Sequence, residues 1–87
     1  MSNMLKEILE SYYDENILVA DGFDKAVIGV ATDFTEQPRL IYSVEKCIEI
    51  LMENDEMDYT DAMEYFTFNV SGAYFENGPI WCWDDFE

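Results

Sequence analysis

The chain has 87 residues, of which 49% are hydrophobic and 16% aromatic, so it is expected to fold as one domain (residues 1–87) instead of remaining disordered. Its 20 acidic residues face only 4 basic ones and no histidine. The resulting net charge of −16 argues against direct binding to nucleic acid or to an anionic membrane surface. No apolar run is long enough to span a membrane, and the start of the chain lacks the apolar core of a secretion signal.

The first predicted element is a helix over residues 3–14, because an apolar stripe repeats there at helical spacing. The stripe consists of Leu5, Ile8, Leu9 and Tyr12. Residues 17–20 form a short apolar run that fits either a helix or a strand. Asp21-Gly22 follows as a turn signal.

A β-hairpin is predicted next. Residues 26–32 are rich in β-branched side chains and apolar on both faces, which is typical of a well-buried strand. Gly29 in its middle indicates a bulge or a close backbone approach. Residues 33–38 are predicted as the loop, and residues 39–42 as the second strand.

Two further helices are predicted, each with a capping residue. Ser43 caps a helix over residues 44–54, whose apolar stripe consists of Val44, Cys47, Ile48 and Leu51. Asp58 caps the next helix, with Asp61 at the third helical position. Gly72 is the glycine expected just beyond its end. The apolar face of this helix is predicted to consist of Tyr59, Ala62, Phe66 and Val70, with Met63 beside them.

The last predicted strand covers residues 79–83 and lies at a sheet edge, since a proline opens it. Residues 84–87 are predicted as a flexible acidic tail. The element order α-β-β-α-α-β predicts an α+β fold, in which about three helices pack on one face of a small, mostly antiparallel three-stranded sheet.

Three segments resemble a family of small acidic bacteriophage proteins for which no activity is established. These are DGFDKAVIGV at 21–30, RLIYSVEKCIEILM at 39–52 and MDYTDAMEYFTFNVSGAYFENGPIW at 57–81. The positions most specific to the pattern are Ala62, Glu64, Phe66, Asn69, Val70, Gly72, Ala73, Tyr74 and Pro79. The resemblance implies a phage origin and a location in the host cytoplasm.

Catalysis is not predicted. A nucleophile needs a neighbouring base, and without histidine neither cysteine has its usual partner. Cys47 and Cys82 are therefore predicted as reduced structural thiols. Carboxylate pairs such as Asp21/Asp24 arise readily among 20 acids, and the acidic segment 54–61 lacks the central glycine and terminal glutamate of an EF-hand. We predict no enzyme activity, no cofactor and no metal site.

The surplus acids either keep the protein soluble or form a negative face that docks on a basic partner. Glu49 and Glu53 fall on one outward row of their helix. The aromatic residues exceed what so small a core needs, and exposed tryptophan and tyrosine are favoured at interfaces. The predicted partner-binding residues are Glu7, Glu10, Asp14, Glu15, Glu49, Glu53, Asp55, Glu56, Trp81, Trp83, Asp84 and Asp85. Asn69 and Tyr74 are predicted either to bind a ligand or to tie the helix end to the next loop.

Three functions follow, in order of preference. The first is a phage-type binding protein that inhibits or modulates a basic host protein, such as a nuclease or another nucleic-acid-binding defence factor, by presenting a surface that partly mimics DNA. The second is a small structural or adaptor protein that forms a homodimer through its C-terminal edge strand. The third is sequestration of a small ligand or nucleotide near Asn69 and Tyr74.

Overall fold

Helices and strands are interleaved along the chain as an α+β fold, which confirms the predicted class. The structure is a computed structural model, and it describes residues 4–12, 17–32, 37–72, 78–84 and 86. The elements are α1 (Met4–Ser11), a 3₁₀-helix (Asp24–Ala26), β1 (Val27–Thr32), β2 (Pro38–Ser43), α2 (Val44–Asn54), α3 (Tyr59–Tyr65), a π-helix (Phe66–Ser71) and β3 (Ile80–Cys82).

The three strands form one sheet in the order β1-β2-β3. β1 pairs antiparallel with β2, and the register shifts between Val27 and Gly29, which fits the bulge, one of the two alternatives predicted at this glycine. β3 pairs parallel with β2, with Ile41 opposite Ile80. The sheet is therefore mixed, with β1 and β2 antiparallel and only the short β3 added in parallel. Two parallel neighbours need a crossover connection, and α2 and α3 lie within it.

The N-terminal helix buries a narrower face than its stripe predicts. Ile8 is buried, and Leu5 and Tyr12 are partly buried against the core, but Leu9 is 38% exposed. α1 packs mainly against β1. The end of the predicted helix beyond Tyr12 lies outside the described residues.

Residues 17–20 form neither a helix nor a strand. Their backbone is held instead by a side chain, because the Ala20 N–H donates a 2.8 Å hydrogen bond to the Tyr42 hydroxyl. Leu18 and Val19 remain exposed. The predicted turn follows at Gly22, whose φ of +90° is a left-handed conformation that glycine adopts without strain.

The second helix matches its prediction at both ends and on its buried face. Ser43 accepts a 3.1 Å hydrogen bond from the Lys46 N–H at its start. The buried residues of α2 are Val44, Cys47, Ile48 and Leu51, as predicted. In α3 the Asp58 carboxylate likewise accepts a 2.8 Å hydrogen bond from the Asp61 N–H, which confirms the predicted cap.

The third helix continues as a π-helix, which the sequence did not predict. Ala62 and Phe66 are fully buried, whereas Tyr59, the first residue of α3, is 56% exposed and does not belong to the buried face. Gly72 has a right-handed φ of −75°, so it is not the left-handed residue expected after a helix. A Cβ atom there would lie 2.5 Å from the Thr67 carbonyl oxygen, and this close approach explains the glycine.

Candidate functional site

Four aromatic rings link the sheet to the helices and support the surfaces described below. The ring centroids of Tyr42 and Trp81, on neighbouring strands, are 5.3 Å apart. Phe66 meets Trp81 edge-to-face at 5.3 Å and Trp83 at 6.4 Å. Edge-to-face contacts at these distances stabilise aromatic pairs beyond simple burial. Trp81 is therefore partly a core residue, while Trp83 keeps 48% of its surface exposed.

The C-terminal segment is tied to the start of α2 through Ser43. The fully buried Ser43 hydroxyl donates a 2.9 Å hydrogen bond to Asp84 Oδ1 while it caps the helix. The Asp84 carboxylate thus lies near the positive end of the helix dipole, where a negative charge is favoured. Asp84 has this structural contact in addition to its predicted role in binding a partner.

The largest concentration of acids lies on the segment from α2 through α3, residues 44–65, which we call the acidic hairpin. It carries eight acidic residues against Lys46 alone, a net −7 of the chain's −16. All eight are exposed. They are Glu45, Glu49, Glu53, Asp55, Glu56, Asp58, Asp61 and Glu64. Glu45, Glu49 and Glu53 repeat every fourth residue, on the side of α2 opposite its buried stripe.

The other predicted acids lie elsewhere. Glu7 and Glu10 are exposed on α1, whose main packing is against β1. Asp14, Glu15, Asp85 and Tyr74 lie outside the described residues. Of the predicted clusters, the structure thus shows the α2 cluster as part of a larger acidic surface and leaves the α1 pair on a separate element.

A groove of about 790 Å³ borders the acidic hairpin. Its apolar lining comes from the segment 18–23, from the C-terminal part of α2, and from Tyr65, Val70 and Trp81. Its volume falls in the range of ligand-binding pockets. Asn69, predicted to bind a ligand or to tie the helix end, is exposed and lines this groove. The groove could not be predicted, because its walls come from segments far apart in sequence.

Charged groups in the groove carry both signs. Arg39 lines it, and its Nε–H donates a 2.7 Å hydrogen bond to the Gly78 carbonyl, which fixes the guanidinium beside the start of β3. Asp21 and Asp55 also line the groove. Asp55 follows the last residue of α2, so the groove and the acidic hairpin share this residue.

Both cysteines are free thiols. Burial, with a smaller contribution from the Asp84 carboxylate, raises the pKa of Cys47 to about 12, so this thiol stays protonated and unreactive at neutral pH. Burial also raises the pKa of the Tyr42 hydroxyl, against the opposing effect of its hydrogen bond from Ala20. Cys47 therefore has the structural role predicted for it; Cys82 is half-buried on β3.

Among the described residues, no group of three or more cysteine or acidic side chains is arranged to hold a metal ion. None of the helices described is long and apolar enough to cross a membrane. Comparison of the chain with protein-family models, with curated protein sequences and with solved structures finds no match.

Proposed function

We propose that the acidic hairpin binds the basic surface of a nucleic-acid-binding protein in the host of a bacteriophage, and competes there with nucleic acid. The observation that carries this proposal is the exposure of all eight acids of the hairpin, five on its two helices and three on the connection between them. The phage source rests on the sequence resemblance alone. The inhibitory action rests on the chemistry of the surface.

The distribution of charge supports a localised face over an even coat. Spread over the 6261 Å² of accessible surface, 20 acids would average one per about 310 Å². The surface of B-DNA carries about one charge per ~100 Å², so an even coat would imitate it poorly. The hairpin carries about twice as many acids per residue as the rest of the chain. This brings the charge density of its surface closer to that of DNA.

The acidic row on α2 also lowers the stability of its own helix. Like charges four residues apart destabilise a helix by about 0.2–0.5 kcal/mol per pair. Glu45, Glu49 and Glu53 form two such pairs. Solubility alone does not require acids to be placed in a row, so this arrangement favours recognition of a cationic surface.

The proposal is tested by capture from a nuclease-treated bacterial lysate at about 50 mM and about 500 mM salt, since added salt shortens the reach of charges. We expect basic nucleic-acid-binding proteins to be retained only at low salt and to be displaced by DNA. The bait is then replaced by a hairpin variant carrying Glu45→Gln, Glu49→Gln and Glu53→Gln. Its association with the captured protein should slow about tenfold or more at low salt.

A matched variant distinguishes the effect of the hairpin acids on binding from the effect of the net charge. Glu7→Gln, Glu10→Gln and Asp24→Asn remove the same three charges from exposed positions outside the hairpin. This variant should associate nearly as fast as the unaltered protein. Equal slowing of both variants would show that total charge, and not the hairpin, drives binding. Capture of no basic protein at low salt would remove the proposal.

The second candidate function is self-association through β3. It is favoured by the position of β3 at the sheet edge and by two exposed aromatic residues after it, Trp83 at 48% and Phe86 at 81%. An unpaired edge strand is a template for pairing with another copy. Light scattering at high protein concentration should then give a mass near twice 10.2 kDa, and Trp83→Ser should shift it toward the monomer. A monomeric mass at all concentrations would retire this candidate.

A further inference from the structure

The groove beside the acidic hairpin has a mainly apolar lining, although the chain as a whole is strongly charged. Leu18 and Val19 line it while 43% and 40% of their surfaces stay exposed, next to the partly buried Val70 and Trp81. Exposed apolar surface gathered in a concave site marks a place where another molecule docks.

Hydrogen bonds to the core and within the segment fix the backbone beside Leu18 and Val19. The Tyr42 hydroxyl accepts the Ala20 N–H at 2.8 Å, and the Phe23 N–H donates to the Ala20 carbonyl at 3.2 Å. Tyr42 itself is fully buried and packs on Trp81, which lines the same groove. The groove is thus held open by the core, and little ordering is needed when it is filled.

The charges at the groove select a cation-bearing occupant. Asp21 and Asp55 outnumber Arg39 among the described lining residues, and one donor of Arg39 is already engaged with Gly78. Glu53 and Glu56, on either side of Asp55, extend the negative charge along the hairpin. A nucleotide or another polyanion would be repelled, whereas an apolar group flanked by lysine or arginine is attracted.

We propose that the groove receives an apolar side chain from a basic segment of the same partner, with the flanking cations on the acidic hairpin. This inference rests on the proposed function and adds the element that would give it selectivity. Long-range attraction mainly accelerates association, whereas an anchor buried in a pocket mainly slows dissociation. The hairpin and the groove would therefore act on different rate constants of one complex.

The test uses two short amidated peptides, each with four lysines, that differ only in a central pair of leucines or of serines. Binding to the isotopically labelled full chain is followed by NMR. Because burial of a leucine side chain is favourable, the leucine peptide should bind at least about tenfold more tightly. It should shift the backbone signals of Ala20 and Leu51 at the groove, while the serine peptide should shift only those of the hairpin.

Two variants with the same change in charge make the test specific. Leu18→Asp places a carboxylate on the groove wall, and Leu9→Asp places one on an exposed position of α1. A purely electrostatic interface would bind the leucine peptide at least as well after either change. An apolar anchor site predicts about a tenfold loss for Leu18→Asp and none for Leu9→Asp, with the serine peptide weakened by neither. Circular dichroism confirms that both variants are folded.

The remaining outcomes separate this inference from the proposed function. Equal affinity of the two peptides, with shifts confined to the hairpin, would overturn the groove inference and leave the proposed function standing. Absence of binding by both peptides at low salt would overturn both. Adenosine serves as a neutral ring ligand, and binding of adenosine at the groove without binding of the leucine peptide there would assign the groove to a small molecule instead.

Discussion

Replacing Phe66 by alanine is expected to remove about 3–5 kcal/mol from the free energy of unfolding. Phe66 is fully buried and is the ring that both Trp81 and Trp83 contact. Loss of this ring leaves a cavity between α3 and β3 and removes two edge-to-face contacts. A domain of this size has a total stability of about 4–13 kcal/mol, so the substitution should remove a substantial share of it.

The matched control is Phe68→Ala, two residues along the same π-helix. Phe68 is 78% exposed, so its replacement should change stability by less than about 0.5 kcal/mol. Urea unfolding followed by tryptophan fluorescence measures both, because Trp81 and Trp83 report on the ring cluster. Similar losses of stability in the two variants would contradict the burial of Phe66 and the exposure of Phe68.

The second large effect is a loss of stability at alkaline pH. The pKa of Cys47 rises from an ordinary 9.0 to about 12 in the folded chain, so the folded state holds this proton more tightly than the unfolded state. The resulting stabilisation is complete below pH 9.0 and is lost as the pH rises toward 12. One such group changes the free energy of unfolding by about 1.4 kcal/mol per pH unit. Between pH 9.0 and 12 the total loss in the free energy of unfolding is at most about 4 kcal/mol. The loss is smaller where solvent near the thiol screens its environment.

Cys47→Ala isolates this contribution from the other groups that titrate in the same range. The variant is less stable at neutral pH, since it leaves a small cavity, but its stability should fall less steeply between pH 9 and 10. Above pH 10 both proteins should weaken further, because the pKa of Tyr42 is also raised from 10.0, and the unaltered protein should lose the Cys47 contribution in addition. Urea unfolding at a series of pH values gives the two slopes. Parallel curves between pH 9 and 10 would contradict the burial of a protonated thiol.

Local signals predicted most of the elements of this chain. The serine cap and the apolar stripe of α2 lie within one helix, so periodicity and capping chemistry were enough to place both ends of that helix. The bulge at Gly29 and the turn at Gly22 were equally local. Short-range patterns of this kind depend only on backbone preference and on one buried face.

Features that depend on distant contacts were missed. The direction of β3 is not encoded in its three residues, since two helices separate it from β2. The run at 17–20 looked like a regular element, but its backbone is satisfied by Tyr42, twenty-two positions away. The groove has walls from five parts of the chain. In contrast, the acidic hairpin was partly predicted, because helical spacing alone places Glu49 and Glu53 together.

The late position of β3 has a consequence for synthesis. Trp81 and the Asp84 carboxylate complete the ring cluster and the cap of α2, yet they are made after every other part of the core. While the ribosome is still adding these residues, Tyr42 and Phe66 lack their partner ring and are open to non-native association. Because the acids already present on neighbouring growing chains repel one another, we expect such copies to stay apart until β3 completes the fold.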